Sequence, residues 1–266
     1  MAQEKWLIDG PKIIDIDNVH KLKVGLVAGQ VNIVAHDEPH VHIEIHSVTG
    51  KDLLVSVDGD TLEIDHPQWK WDNFVDVFRS FRGSARADVS VRVPRDIALK
   101  FGVVSASALI SGLATDASIS TVSGEVVIDG LRGDIQVNAV SGEISVRNHQ
   151  GRISAHTVSG DVTAAGELVK FAADTVSGDV FLDIVGIPDE VRVNTVSGSV
   201  TARVEEGVAA QYKINTVSGR IQLDESEITG VRGSYTGKYG SLDKVWLEFK
   251  ANTVSGNVSV LHQVSA

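Results

Sequence analysis

The chain has 266 residues, with 24 Lys and Arg against 35 Asp and Glu, a formal net charge of −11 and no Cys. This balance argues against a general nucleic-acid binder, which needs a basic face to neutralise phosphates. The missing thiols exclude disulfides, thiolate metal sites and cysteine nucleophiles, and 42% apolar residues with 22% charged residues indicate a folded chain of one or two domains.

The first residues carry no targeting signal. The segment MAQEKWLIDGPKIIDID lacks the basic stretch and apolar core of a secretory signal. No run in the chain approaches the roughly 18 consecutive apolar residues of a transmembrane helix. We therefore expect a cytoplasmic protein, with peripheral attachment to a membrane as the alternative.

Alternating apolar and polar residues predict strands within the first 70 residues, over 31–34, 41–45, 53–57 and 61–64. Asp58-Gly59-Asp60, between the last two, is typical of a hairpin turn. We expect residues 1–95 to form a β-rich capping region, because an uncovered edge of the structure that follows would invite edge-to-edge pairing.

One of these strands carries histidines. His40, His42, Glu44 and His46 alternate with apolar residues and so share one face. Neighbours on that face lie about 6.6 Å apart, close enough for two imidazoles to bind one metal ion. His40 and His42 are therefore candidate metal ligands. An exposed polar face explains the pattern equally well; we favour it, and expect no metal or other cofactor.

Residues 69–83 differ from the rest because they hold five of the 14 aromatic residues. Apolar side chains at 74, 77, 78 and 81 have helical spacing, which predicts a short helix over 70–83. The helix has two candidate roles: to plug the end of the core, which we favour, or to dock on a partner protein or an anionic membrane. A disordered insert is the third alternative for this segment. The docking residues would be Trp69, Trp71, Phe74, Phe78, Arg79, Phe81 and Arg82.

The second half is dominated by a repeat. Val-Ser-Gly begins at residues 122, 140, 158, 176, 196, 217 and 254. The spacing is 18 residues at first, and the last gap of 37 is close to two periods, which predicts one coil that has lost its signature. The short alternating segments between the glycines predict strands. Residues 96–266 should thus form a right-handed, parallel β-helix-like solenoid with about 18 residues per coil, and we expect one continuous fold with the region before it.

The repeat predicts which side chains stack. Ile144, Val146, Ile153, Ala155 and Val158 should point inward, and each Val-Ser-Gly serine should join a hydroxyl ladder. A polar column, expected to hydrogen-bond to the turn backbone, comprises Asn138, His156, Asp174, Asn194, Asn215 and Asn252.

A second column is acidic. Glu125, Glu143, Asp161 and Asp179 follow the glycine of successive repeats, so like charges would stack about 4.8 Å apart. Each neighbour would cost about 1 kcal/mol at water-like dielectric. Splayed side chains or interleaved arginines would relieve the repulsion, and a calcium array is the alternative.

The Thr/Ala-Val-Ser-Gly repeats resemble those of a bacterial family of β-strand-repeat proteins, the putative adhesins or toastrack domains. So does the stretch over 233–240, followed by the repeat at 250–256. The resemblance covers roughly residues 20–262. It implies a non-enzymatic, all-β solenoid without catalytic residues. Some relatives are linked to envelope-stress signalling, and others are exported and thought to adhere.

The enzyme motifs H-E-x-x-H, G-x-G-x-x-G and G-x-S-x-G are missing from the sequence. The leading hypothesis is a non-enzymatic scaffold or protein-interaction module with an unidentified protein partner, membrane-associated or not. A surface adhesin or carbohydrate-binding protein is the alternative, and a flat Thr and Ser array of the ice-binding kind is a third. Exposed solenoid ends would also allow end-to-end self-association.

Overall fold

A computed structural model describes residues 4–67, 85–228, 233–243 and 245–263. Within these ranges all regular structure is β, in 22 strands, which confirms the all-β prediction. The helix predicted over 70–83 lies outside the described residues. The chain forms two compact units, Met1–Gly133 and Asp134–Ala266, and the boundary predicted near residue 95 stays a prediction.

The first unit contains ten strands: β1 (Glu4–Ile8), β2 (Lys12–Ile16), β3 (Lys21–His36), β4 (Val41–Thr49), β5 (Leu53–Asp58), β6 (Thr61–Asp65), β7 (Arg86–Pro94), β8 (Ala98–Ser111), β9 (Ala117–Thr121) and β10 (Val126–Asp129). The four strands predicted between residues 31 and 64 are present. Asp58 pairs with Thr61 across the predicted hairpin, and Gly59 supplies the left-handed backbone with a φ of 64°.

Parallel pairing organises the first unit around β3. One edge of β3 pairs with β6 and then β7, and the other edge pairs with β8 along most of its length. β8 continues the parallel order to β9 and β10. β4 and β5 run antiparallel on β7 and β6, so an antiparallel layer covers the edge that the first parallel coil would otherwise expose.

The second unit contains twelve strands: β11 (Ile135–Ala139), β12 (Ile144–Thr157), β13 (Val162–Thr175), β14 (Val180–Ile184), β15 (Glu190–Asn194), β16 (Val200–Glu205), β17 (Ala210–Thr216), β18 (Ile221–Leu223), β19 (Ser226–Ile228), β20 (Gly233–Tyr239), β21 (Leu247–Thr253) and β22 (Val258–Gln263). One sheet has the parallel order β11, β12, β13, β15, β21, β17. A second parallel row has the order β14, β16, β22, β18.

The last repeat is inserted between two earlier ones. β21 pairs with β15 on one side and β17 on the other, and β22 lies likewise between β16 and β18. The prediction of a lost coil in the 37-residue gap is wrong. Part of that gap forms β19 and β20, which pair antiparallel with β18 and β17. β19 and β20 thus pair with the edge of the final coil, to which another parallel coil could otherwise be added.

The C-terminal strand is held in place by polar contacts of His262. Its backbone N–H donates to Asp224 at 2.6 Å, and its Nδ1 lies 3.1 Å from both carboxylate oxygens of that residue. Its Nε2 lies 3.3 Å from the hydroxyl of Tyr212, and Tyr239 stacks on the imidazole at 3.7 Å. The inserted strand β22 is thus tied to the coil that precedes it in sequence.

Apolar side chains at equivalent positions stack through the second unit. Ile153, Phe171, Val191, Phe249 and Tyr212 occupy successive strands in register, and each is at most 3% exposed. The predicted inward positions Ile144, Val146, Ile153 and Ala155 are buried as well. A single coil cannot enclose its own apolar side, so this column exists because coils stack.

The repeat glycines are required by the approach of neighbouring coils. A Cβ at Gly178 would lie 2.1 Å from the carbonyl oxygen of Gly160, and one at Gly198 would lie 2.0 Å from that of Gly178. Both contacts are with backbone, which cannot rotate away as a side chain can. Any larger residue must therefore push two coils apart.

We expect Gly178→Ala to lower the free energy of unfolding by about 2 kcal/mol or more, because the added methyl group overlaps a carbonyl oxygen. The measurement is urea unfolding followed by circular dichroism. Gly207→Ala is the matched control: a Cβ there meets nothing within 4 Å, so stability should stay within about 0.5 kcal/mol of wild type. Equal losses in the two variants would contradict the argument.

The first unit buries two titratable neighbours, Asp65 and His66, which are 8% and 1% exposed. Burial, with a smaller contribution from Glu63, raises the pKa of Asp65 to about 7. Burial, assisted by Lys51, lowers the pKa of His66 to about 4. The backbone N–H of Val27 donates to His66 Nδ1 at 3.3 Å, so the proton of the neutral ring sits on Nε2.

These opposite shifts should nearly cancel in the wild-type protein. Between about pH 4 and 6.5 the folded state holds the Asp65 proton that the unfolded state has released, so this group makes stability fall as the pH rises. Over the same range the unfolded state holds the His66 proton that the folded state lacks, so this group makes stability rise.

Substituting one of the two residues should reveal how the other makes stability change with pH. Relative to wild type, Asp65→Asn should gain stability as the pH rises from 4 to 6.5, and His66→Gln should lose it, each by up to about 1.4 kcal/mol per pH unit. Denaturant unfolding across this range measures both. Parallel pH profiles for the two variants would refute the assignment, as would a His66 imidazole that titrates near 6.5 by NMR in the folded protein.

Candidate binding surface

The corner of each coil is built by the threonine of Thr-Val-Ser-Gly. In the second unit these threonines are between 2% and 6% exposed. Each Oγ1 accepts a hydrogen bond from the N–H of the glycine three residues later, at 2.8–3.1 Å. The threonine thus fastens the turn from inside, and the valine that follows it faces outward. The alternative of an outward Thr and Ser array of the ice-binding kind is therefore wrong, because the threonines are buried.

The outward valines form a ridge along successive coils, which we call the valine ridge. Its members are 48–61% exposed and lie in the spatial order Val158, Val176, Val196, Val254 and Val217. The prediction that Val158 points inward is wrong, because the buried threonine already fills the inside of the corner. The serines beside the ridge donate to valine carbonyl oxygens of the neighbouring coil at 3.3–3.5 Å.

The predicted polar column is confirmed, but its hydrogen bonds run from coil to coil and not to the turn backbone. Asn215 Nδ2 donates to Asn252 Oδ1, and Asn252 Nδ2 donates to Asn194 Oδ1, both at 2.6 Å. Asn194 Nδ2 donates to Asp174 Oδ1 at 2.6 Å. The far Asp174 oxygen lies 3.3 Å from His156 Nδ1. These five residues form a continuous ladder, called the amide ladder below.

A basic row runs beside the amide ladder. Arg192, Lys250 and Lys213 occupy the same register on β15, β21 and β17, two residues before the ladder asparagines. Lys250 turns to the acids, with Nζ 3.1 Å from Glu190 and 2.8 Å from Glu248. Neither Arg192 nor Lys213 has an ion-pair partner within the described part of the chain.

Glu190 is the acid that holds two of the surrounding lysines. Hydrogen bonds from Lys170 and then from Lys250 keep the pKa of this carboxyl below its usual value. The pKa of Lys250 is raised in turn by hydrogen bonds to Glu248 and Glu190. The Lys250 charge is thus compensated, whereas the charges of Arg192 and Lys213 on either side of it face solvent.

Two depressions lie over these rows. The first has a volume of about 210 Å³ and is lined by Glu190, Arg192, Lys213, Asn215, Lys250 and Asn252. The second, of about 460 Å³, runs along the amide ladder between the valine ridge and the start of β20, and Ser234, Val217 and Val254 contribute to it. The two depressions share Asn215 and Asn252.

The acidic column is stabilised by the backbone of the next coil. Asp161 Oδ1 accepts the N–H of Asp179 at 2.8 Å, and Asp179 Oδ1 accepts the N–H of Ser199 at 2.7 Å. Asn257 accepts the N–H of Arg220 in the same way at 3.0 Å. Asp161 and Asp179 therefore each add a hydrogen bond between neighbouring coils, which offsets the expected repulsion.

His40 and His42, the candidate metal ligands, belong to the first unit. His42 Nδ1 pairs with Asp15 at 2.5 Å and His40 Nε2 with Glu38 at 3.4 Å. Within residues 4–67, 85–228, 233–243 and 245–263, no three His, Asp or Glu side chains are grouped to hold a metal ion. The candidate docking residues 69–82 lie outside the described residues. Across the described ranges, no helix is long and apolar enough to span a bilayer.

The basic row escaped the sequence analysis, although the sequence carries a signal for it. A basic residue stands two positions before Asn-Thr-Val-Ser-Gly in three repeats, at Arg192, Lys213 and Lys250. The corresponding residues of the two preceding repeats are Ser154 and Ala172. Aligning the repeats by this position, and not by the Val-Ser-Gly signature alone, would have identified the row.

Comparison with known proteins agrees with this architecture. The family model Toastrack DUF4097 matches residues 19–261. Among curated proteins, none matches the chain. A solved structure from Parabacteroides distasonis, described as a putative lipid binding protein, is 15% identical with a TM-score of 0.53, and the match covers 97% of this chain and 98% of that one.

A second solved structure, described as a putative adhesin from Bacteroides fragilis, is 14% identical with a TM-score of 0.51, and the match covers 94% of this chain and 97% of that one. At such identities the two structures bear on the fold alone. The family match covers most of the sequence, including both units. The chain therefore belongs to the toastrack family of β-solenoid-like proteins.

Proposed function

We propose that this protein is a non-enzymatic β-solenoid that binds a partner protein through the valine ridge. The observation that carries the proposal is the exposure of five aligned valines, each close to half exposed. Regular apolar surface of this kind is typical of interaction sites, whereas apolar residues that are exposed singly are ordinary. The coils behind the ridge would serve as its scaffold, right-handed and of about 18 residues each.

The construction of the corners supports a binding role for the ridge. In the five Thr-Val-Ser-Gly repeats of the second unit, the threonine and glycine fasten the turn through a hydrogen bond inside the coil and a close backbone approach between coils. The valine is needed for neither contact, yet it recurs in every repeat. A β-branched residue suits an extended backbone, but threonine would suit it equally and would be better hydrated.

The finer parts of the proposal rest on family resemblance. A place in envelope-stress signalling, at the cytoplasmic side of a membrane, would give the ridge a membrane-associated partner. Surface adhesion is the alternative, and the name of the structural relative from Bacteroides fragilis fits it. End-to-end self-association remains a proposal as well.

The ridge is tested by Val176→Asp combined with Val196→Asp. Both side chains are about half exposed, so the variant should fold with nearly unchanged stability while losing the partner. The measurement is cross-linking in native lysate, identification of the partner, and calorimetry with the purified pair. We expect affinity to fall by about a hundredfold, since charges at an interface core without counter-charges are strongly unfavourable.

The matched control is Val185→Asp combined with Ile187→Asp. These side chains are 43% and 50% exposed at a different corner, and the net charge changes equally. The control should keep the partner. A partner that is captured equally by all three proteins would overturn the assignment to the ridge, and so would the failure of any specific partner to bind the purified wild type.

Separately, we propose that the segment over 69–83 docks the protein on an anionic membrane. Trp71→Ala combined with Phe78→Ala should reduce co-sedimentation with anionic vesicles several-fold, because aromatic anchors contribute most to interfacial binding. Neutral vesicles are the control. If wild-type protein does not sediment with anionic vesicles, the membrane role is wrong.

A further inference from the structure

We propose that the second unit binds the acidic group of an anionic saccharide between Arg192 and Lys213, on the outward face of β15, β21 and β17. This site goes beyond the partner-binding ridge. It shares Val217 and Val254 with the ridge, but its two cations and its amides lie outside the ridge. The ligand class follows from three features of the surface: two cations without an ion-pair partner among the described residues, a ladder of side-chain amides beside them, and an apolar border.

The acidic group would be recognised by Arg192 and Lys213. They stand on either side of Lys250 in one register row, about 10 Å apart from backbone to backbone given the usual strand spacing. Lys250 turns to Glu190 and Glu248, which leaves the depression of about 210 Å³ between its neighbours. A carboxylate there could receive a charge-assisted hydrogen bond from either side.

The hydroxyl groups would be recognised by the amide ladder. Asn252 and Asn215 line both depressions. Each uses one amide N–H in the ladder, and Asn252 also uses its oxygen for Asn215. Since a side-chain amide has two N–H donors and two acceptor lone pairs, each retains a donor and an acceptor for a ligand. Hydroxyl groups both donate and accept, so they match such pairs.

The apolar border would contact the C–H face of a sugar ring. Val217 and Val254 line the larger depression of about 460 Å³ together with the amides and are 61% and 48% exposed. Charge selects the acidic sugar over a neutral one. The depression contains Arg192 and Lys213, which form no ion pair within the described ranges, while its acid, Glu190, is already paired with two lysines.

The experiment is calorimetric titration of the full chain with trigalacturonate at low ionic strength, beside its neutral methyl ester. We expect binding of the acid, weakened by salt, and at least about tenfold weaker binding of the ester, since a charge-assisted hydrogen bond is lost. Galacturonate monomer should bind more weakly than the trimer because it spans one depression. Equal binding of acid and ester, or no binding of either, would overturn the proposal.

Variants locate the site. Arg192→Gln combined with Lys213→Gln should weaken binding by about tenfold or more, whereas Lys12→Gln combined with Lys23→Gln, which removes the same charge from the first unit, should not. Glu190→Gln should strengthen binding about threefold, because it frees positive charge beside the site. Equal losses in the two double variants would show non-specific charge attraction and refute the site.

Two further ligands separate the alternatives. Inorganic phosphate tests whether any oxyanion suffices, and binding as tight as that of trigalacturonate would overturn the saccharide assignment. Triglutamate tests an acidic peptide, and equal binding would do the same. The ridge variant at Val176 and Val196 should bind trigalacturonate normally, since neither residue lines the two depressions. Failure of this site and failure of the ridge are therefore distinguishable.

Discussion

The close approach of neighbouring coils at the Thr-Val-Ser-Gly corner is the constraint on which the second unit depends. Backbone meets backbone there, with room for a hydrogen atom and not for a methyl group on each glycine. The threonine hydroxyl fastens the same corner from inside, at its glycine N–H. Since glycine permits the approach and threonine fixes the turn, equivalent positions of successive coils stay in register. Columns of like side chains follow directly from that register.

Register explains why one repeat produces four different columns. Inward positions stack Ile, Val and Phe into a continuous core. Asparagines two strands apart are linked through a third at 2.6 Å, and acids that would repel one another instead accept N–H groups from the next coil. The same geometry turns the valines to solvent. The distance between equivalent residues of neighbouring coils is the same in every column. Whether a column stabilises the fold therefore depends on which atoms meet across that distance.

The sequence predicted the repeating architecture because period-two alternation and the glycine spacing are local signals. The sequence-based prediction failed for features that depend on which distant segments of the chain contact each other. Val158 is an apolar, β-branched residue, so the sequence predicts that it is buried in the core. It is exposed instead, because Thr157 already fills the inside of the corner. The insertion of β21 between β15 and β17 has no local signal, because it depends on pairing between segments that are far apart in the chain. The basic row had a signal, Arg or Lys two residues before Asn-Thr, that alignment by Val-Ser-Gly conceals.

The insertion matters for the proposed saccharide site. In sequence order, Arg192 and Lys213 would be neighbours in the row, and Lys250 would lie at its end, away from Glu190. With β21 between them, Lys250 instead reaches Glu190 and Glu248, and its charge is neutralised in the middle of the row. The two outer cations are thereby separated by a strand whose own lysine is turned aside. The hydrogen bonds between His262 and Asp224 hold this strand order in place. Because of the order, the basic row forms a depression with a cation on each side.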